Sequence, residues 1–171
     1  MKTVFSSNSE LANVWAMQTQ SHGKANSMFF NHNTAYSYGF HYMAGELLTL
    51  KGEKVCILNK TPYSVTTNKH VNELRAAALG KGYKCFSLPF GRVFDQNKIC
   101  VYLSELIKEA DGLLKKQLKA RTSTFNFDRA EYLIYQIIDL CRLFDEEQPK
   151  PGDFKHYTEL KNKIYAIQEN K

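Results

Sequence analysis

No two cysteines in this chain are spaced as CxxC or CxxxC, so the usual thiolate pattern of a structural zinc site is missing. The four that exist, Cys56, Cys85, Cys100 and Cys141, stand singly. Cys56 in "KVCIL", Cys85 in "YKCFS" and Cys141 in "DLCRLF" have apolar surroundings, and we read them as reduced core residues. No apolar run approaches the roughly 20 residues that span a bilayer. The stretch from Met1 to Asn8 lacks the apolar core of a signal peptide, so a cytoplasmic location is expected. The glycines are scattered, and none builds a P-loop, a GxGxxG or a GxSxG; HExxH is also absent. No cofactor and no metal is therefore expected. Any active site has to be assembled from distant residues.

What is present is an ordinary globular composition with many aromatics. Of 171 residues, 43% are hydrophobic and 23% charged, with ten Tyr and eleven Phe. That is enough chain to bury a core without disulfides or metal. The formal net charge is +6. Residues 1–90 hold nine Lys or Arg against four Asp or Glu, whereas residues 91–171 hold fourteen against thirteen. The excess in the first half suits an anionic partner.

The sequence divides into an α+β domain, 1–92, and a helical region, 93–171. "NSELANVWAMQTQ" (8–20) reads as a helix capped by Asn8 or Ser9, with Leu11, Val14 and Trp15 on one face. "SHGKANS" (21–27) reads as a break. "MFFNHNTAYSYGFHY" (28–42) reads as a β-hairpin turning at Asn31-His32-Asn33. "MAGELLTL" fits a strand or a short helix. Lys54 to Leu58 is a strand entered from a Lys-Gly turn and left through Pro62. "TTNKHVNELRAAALGKG" is a helix ending at Gly80 or Gly82, and "YKCFSLP" is a further strand. The result is a small antiparallel or mixed sheet with two helices.

Three amphipathic helices follow. Ile99, Tyr102, Leu103, Leu106, Ile107, Ala110, Leu113, Leu114 and Leu118 recur at three and four. Asp128 and Glu131 match a capping pattern ahead of Leu133, Ile137, Leu140 and Phe144. Asp153 is positioned to cap a last helix carrying Tyr157, Leu160, Ile164 and Ile167. These stripes pack on each other or on the sheet, or else they meet a protein partner or a second copy of the chain.

Two stretches carry the candidate chemistry. In "YSYGFHY", strand alternation puts Tyr36, Tyr38, Phe40 and Tyr42 on one face and Ser37, Gly39 and His41 on the other. In "YSVTTNKHVNELRAA", Thr66 or Thr67 is placed to cap a helix whose free N–H groups favour an anion. Lys69, His70 and Arg75 add positive or titratable groups. The anion-binding set is thus Thr66, Thr67, Lys69, His70, Arg75, Tyr36, Tyr38 and His41. The plainer reading is a capped amphipathic helix with Val71, Leu74 and Ala78 inward, beside a strand with buried tyrosines. His41 and His70 are the candidates for an acid–base pair, since two imidazoles can cleave a phosphodiester.

Three runs together resemble a family of bacteriophage and mobile-element proteins of unknown function. The matching residues are Ser7, Glu10, Ala12, Trp15 and Ala16; then Phe29, Phe30, Thr34, Tyr36, Ser37, Tyr38, Gly39, His41 and Tyr42; then Ser64, Thr66, Thr67, Lys69 and His70. The resemblance spans roughly residues 6–80. Leu11 stands where the family carries valine, and "NHN" replaces a tighter acidic turn. The resemblance implies a phage-type origin and supplies no activity. The expected function is binding of an anionic partner, nucleic acid or nucleotide, without catalysis. The alternatives are a protein-binding module, such as a virion component or an inhibitor of a host defence nucleoprotein, and a small phosphodiester hydrolase.

Overall fold

A computed structural model describes residues 2–61, 63–120 and 123–169. It shows an α+β protein in two compact units, Met1–Gln96 and Asn97–Lys171. No helix among the described residues is long and apolar enough to cross a membrane.

The first unit begins with helix α1, Asn8–Met17. Its cap is Ser7, not Asn8 or Ser9: Ser7 Oγ accepts the Glu10 N–H at 3.1 Å. Glu10 reaches back to the Ser6 N–H at 3.0 Å. The Ser-x-x-Glu spacing thus forms a capping arrangement one residue earlier than expected. Strands β1 (His22–Ala25), β2 (Met28–Asn31), β3 (Thr34–Ser37), β4 (Met43–Leu50) and β5 (Glu53–Asn59) follow. Helix α2, Val65–Gly80, and strand β6, Lys84–Leu88, complete the unit.

The strands lie in chain order, β1 to β6, in one mixed sheet. Neighbours from β1 to β5 are antiparallel and joined by short turns. β6 is parallel to β5, because α2 carries the chain back before it re-enters the sheet. "SHGKANS", expected as a break, is largely strand β1. All four of its residues pair with β2, and Val4 bridges Lys24 on the other side. Pairing across the sheet outweighs the local small-residue signal.

Helices α1 and α2 cover one sheet face. Leu11 and Trp15 of α1, and Val71, Leu74 and Ala78 of α2, join Met28, Phe30, Ala35, Leu47, Cys56 and Leu58 in a single core. Trp15 is fully buried, and its Nε1–H donates to the Asn33 carbonyl at 3.0 Å. At the far end of β5, buried Asn59 donates through Nδ2 to the carbonyls of Met43 (2.9 Å) and Gly91 (2.7 Å). That side chain fixes where the chain leaves the sheet. Pro62, expected to end the strand, lies outside the described residues.

In the second unit, helices α3 (Ile99–Gln117) and α4 (Phe125–Phe144) pack together, followed by α5 (Tyr157–Glu169). Tyr102, Leu103, Leu106, Ala110, Leu113 and Leu114 are buried, as are Leu133, Ile137, Leu140, Tyr157, Leu160 and Ile164. Leu118 is exposed, and the side chain of Ile167 lies outside the described residues. Asp128 and Glu131 do not cap α4, which starts three residues before Asp128. The Gln117 side chain serves that end instead: its Oε1 accepts the Phe127 N–H at 3.2 Å, and its Nε2 donates to Ser123 O at 2.7 Å. Glu131 accepts the Tyr157 hydroxyl at 2.7 Å. Asp153 accepts the Lys150 N–H across a short 3-10 turn and does not cap α5.

Candidate functional site

The sequence places a tight turn and a helix start far apart, and the fold brings them together. β3 ends at Ser37. Tyr38 takes a left-handed conformation, φ 63°, which turns the chain out of the sheet. The loop closes where the Ser37 N–H donates to Tyr42 O at 3.1 Å and the Tyr42 N–H to Gly39 O at 3.2 Å. "YSYGFHY" is therefore not one continuous strand, and its aromatics do not share a face. Tyr36 lies half-buried on the sheet face away from α1 and α2, stacked on Phe29 at 5.1 Å with Phe40 edge-on at 5.0 Å. Tyr42 points into the helix-side core. Its hydroxyl donates to Thr61 O at 3.0 Å.

At the other stretch, Ser64 is the cap of α2, not Thr66 or Thr67. Ser64 Oγ accepts the Thr67 N–H at 3.1 Å. A chain of hydroxyls then runs inward. Ser64 Oγ and Thr67 Oγ1 are 2.9 Å apart, Thr67 Oγ1 and Ser37 Oγ 3.5 Å, and Ser37 Oγ and His70 Nδ1 2.7 Å. Ser37, Thr67 and His70 are each 1% exposed or less. Burial holds the imidazole below its ordinary pKa, so His70 is neutral near pH 7.

Thr67 and His70 are poorly placed for the anion contacts the sequence suggested, because both are buried and Thr67 Oγ1 and His70 Nδ1 face Ser37 at the end of β3. Thr66 and Lys69 are exposed on the first turns of the same helix. Arg75 is half-buried and donates to Ser87 Oγ of β6, nearly three turns from the helix start. Tyr38 is 54% exposed, with its ring 5.9 Å from that of His70. His41 is exposed, 6.3 Å from the Tyr63 ring, and Tyr63 also lies 5.2 Å from Tyr42. Tyr63 and Phe40 are 62% and 68% exposed. Sequence reasoning gave neither a role. Tyr63 has no place in either apolar pattern, whereas strand alternation assigns Phe40 to the face of Tyr36, Tyr38 and Tyr42.

The chemistry open to this arrangement is limited. Ser37 and His70 have the residue types of a nucleophile and a base. Both are sealed from solvent, and among the described residues no carboxylate hydrogen-bonds the imidazole to orient it. His41 and His70 do not form an acid–base pair: one is exposed beside Tyr63, the other buried against Ser37. Among the described residues no group of three or more His, Cys, Asp or Glu is arranged to hold a metal. An open depression of about 390 Å³ lies in the second unit, rimmed by Glu146, Glu147 and Asp153 above Cys100 and Cys141. Its acidic rim suits no anion.

No family model matches the chain, no curated protein matches it, and no solved structure matches it.

Proposed function

We propose that the first unit, in a protein of phage or mobile-element type, binds single-stranded nucleic acid or a nucleotide without catalysis. The observation that carries this reading is the aromatic surface at the β3 end. Tyr38, Phe40, His41 and Tyr63 come from two separate loops and stand open to solvent, Tyr38 beside His70, His41 beside Tyr63, and Phe40 against Phe29 and Tyr36. Phe29 and Tyr36 extend the surface across the sheet, with exposed Lys24 the register neighbour of Phe29. Lys69 and Thr66 flank it on α2. Bases stack on exposed rings with little regard to sequence, while lysines track the phosphates. The Ser37–His70 bond gives the platform a fixed base, which lowers the ordering cost of binding.

The test is fluorescence anisotropy with labelled single-stranded DNA and RNA across a salt series. Affinity should fall as salt rises, because each phosphate contact releases counterions. Phe40→Ala or Tyr63→Ala should weaken binding by about 1–3 kcal/mol, the usual worth of one stacked base. Affinity independent of salt, or unchanged in both variants, overturns the proposal.

A second reading rests on the second unit. Phe125, Tyr132 and Tyr135 of α4 are 61%, 62% and 51% exposed, and their spacing of seven and three puts them on one helix face. Such a face suits a protein partner, as in a virion component or an inhibitor of a host nucleoprotein. Light scattering that shows a monomer, together with unimpaired function of a Tyr132→Ser/Tyr135→Ser variant, would count against it.

A further inference from the structure

Cys56 and Cys85 are direct register partners in the parallel ladder of β5 and β6. Adjacent strands lie about 4.8 Å apart. That falls inside the Cα separation of about 4.4–6.8 Å that a disulfide spans. Both side chains point to the sheet face beneath α2, where Cys56 is part of the core and Cys85 packs against it. The Cys56 thiol is within reach of the Cys85 sulfur, where it favours the Cys85 thiolate.

The two sulfurs differ in access and in charge. Cys56 is sealed, whereas Cys85 is partly open. Cys85 Sγ also lies 3.9 Å from the Arg75 carbonyl and 3.8 Å from that of Tyr83. The hydrogen bond from Cys56, and then the positive charge of Arg75, hold the Cys85 thiol below its ordinary pKa. The other three thiols are pushed the opposite way. Burial raises Cys56 strongly. Glu146 raises exposed Cys100. Burial raises Cys141 to about 11.

We propose that Cys85 is a site of oxidation by peroxides and that Cys56 resolves it into a cross-strand disulfide. The Cys85 thiolate attacks one peroxide oxygen, and the O–O bond breaks. The departing oxygen takes a proton and leaves as water or an alcohol, and Cys85 carries a sulfenic acid. The Cys56 sulfur then attacks the Cys85 sulfur. The S–S bond forms, and the hydroxyl leaves as water with the Cys56 proton. The two thiols give up two electrons, and the peroxide accepts them. The product ties β5 to β6 around the crossover that contains α2.

The full-length protein, treated with hydrogen peroxide near pH 7, alkylated and digested with trypsin without reduction, tests this. The expected product links the peptide Val55–Lys60 to the peptide Cys85–Arg92 and disappears on treatment with dithiothreitol. Cys56→Ser should leave a sulfenic acid on Cys85 that dimedone traps. Arg75→Gln should slow the reaction several-fold, since it removes the charge that favours the thiolate. If the wild-type protein returns both peptides as free thiols while exposed Cys100 is oxidised, the proposal is overturned. The wild-type map decides the matter even if a variant fails to fold.

Discussion

Replacing Ser37 by alanine should weaken the first unit out of proportion to the single atom removed. Ser37 and His70 are each 1% exposed, and their bond is 2.7 Å long. Without Ser37 Oγ, Thr67 keeps its partner in Ser64 at 2.9 Å, whereas His70 Nδ1 loses the Ser37 hydroxyl it pairs with. A buried polar atom left without a partner costs about 1–3 kcal/mol. His70→Leu should cost a similar amount, since it leaves the Ser37 hydroxyl with only the 3.5 Å approach to Thr67. The double variant removes both polar groups together. It should cost less than the sum of the two singles by about 1 kcal/mol or more, because neither orphan remains.

The assay uses the one tryptophan of the chain, Trp15, which is fully buried in the same core and so reports the first unit by itself. With a urea dependence of about 2 kcal/mol per molar, a loss of about 2 kcal/mol lowers the midpoint by about 1 M. A Ser37→Ala midpoint within about 0.2 M of the wild type, at that same urea dependence, would refute the reasoning. So would strictly additive costs in the double variant.

His70 also sets a pH dependence. Its folded pKa lies below the ordinary 6.5, so the unfolded chain takes up the proton more readily. The stability it protects is fully present above about pH 6.5 and is lost as pH falls below that value. From pH 7.5 to 5.5 the Trp15 urea midpoint should drop further in the wild type than in His70→Leu, and equal drops would show that the imidazole is not the cause. Gly45→Ala should destabilise by about 1–3 kcal/mol through overpacking. The new Cβ meets Leu58 Cδ2 at 2.9 Å and Ile57 O at 3.3 Å, under Trp15. Gly112→Ala, on α3 with nothing within 4 Å, should instead gain about 0.5–1 kcal/mol by helix propensity, read as a rise in the thermal midpoint of the helical signal. A Gly45→Ala protein as stable as the wild type would mean that this part of the sheet yields more easily than its packing indicates.

The sequence by itself determined the elements whose apolar residues repeat locally. α1, α2, α3, α4 and α5, and strands β5 and β6, are legible because a period of 3.6, or a short apolar run between turn residues, needs no knowledge of distant chain. It also determined that "YSYGFHY" and "TTNKH" were the stretches to watch. Only the tertiary structure decided what they do to each other. Alternation predicts one strand through Tyr38, and a single left-handed residue there ends it. β1 was hidden for a related reason: His22–Ala25 is strand because β2 lies beside it, and pairing is a property of two segments. Thr67 and His70 carry the chemistry of an anion contact in sequence and have none of its access in space. Burial is set by what packs on a residue from elsewhere in the chain. That is why the side chains left open to solvent are Tyr38, Phe40, His41 and Tyr63, while the two most reactive-looking residues become the fastening between β3 and α2.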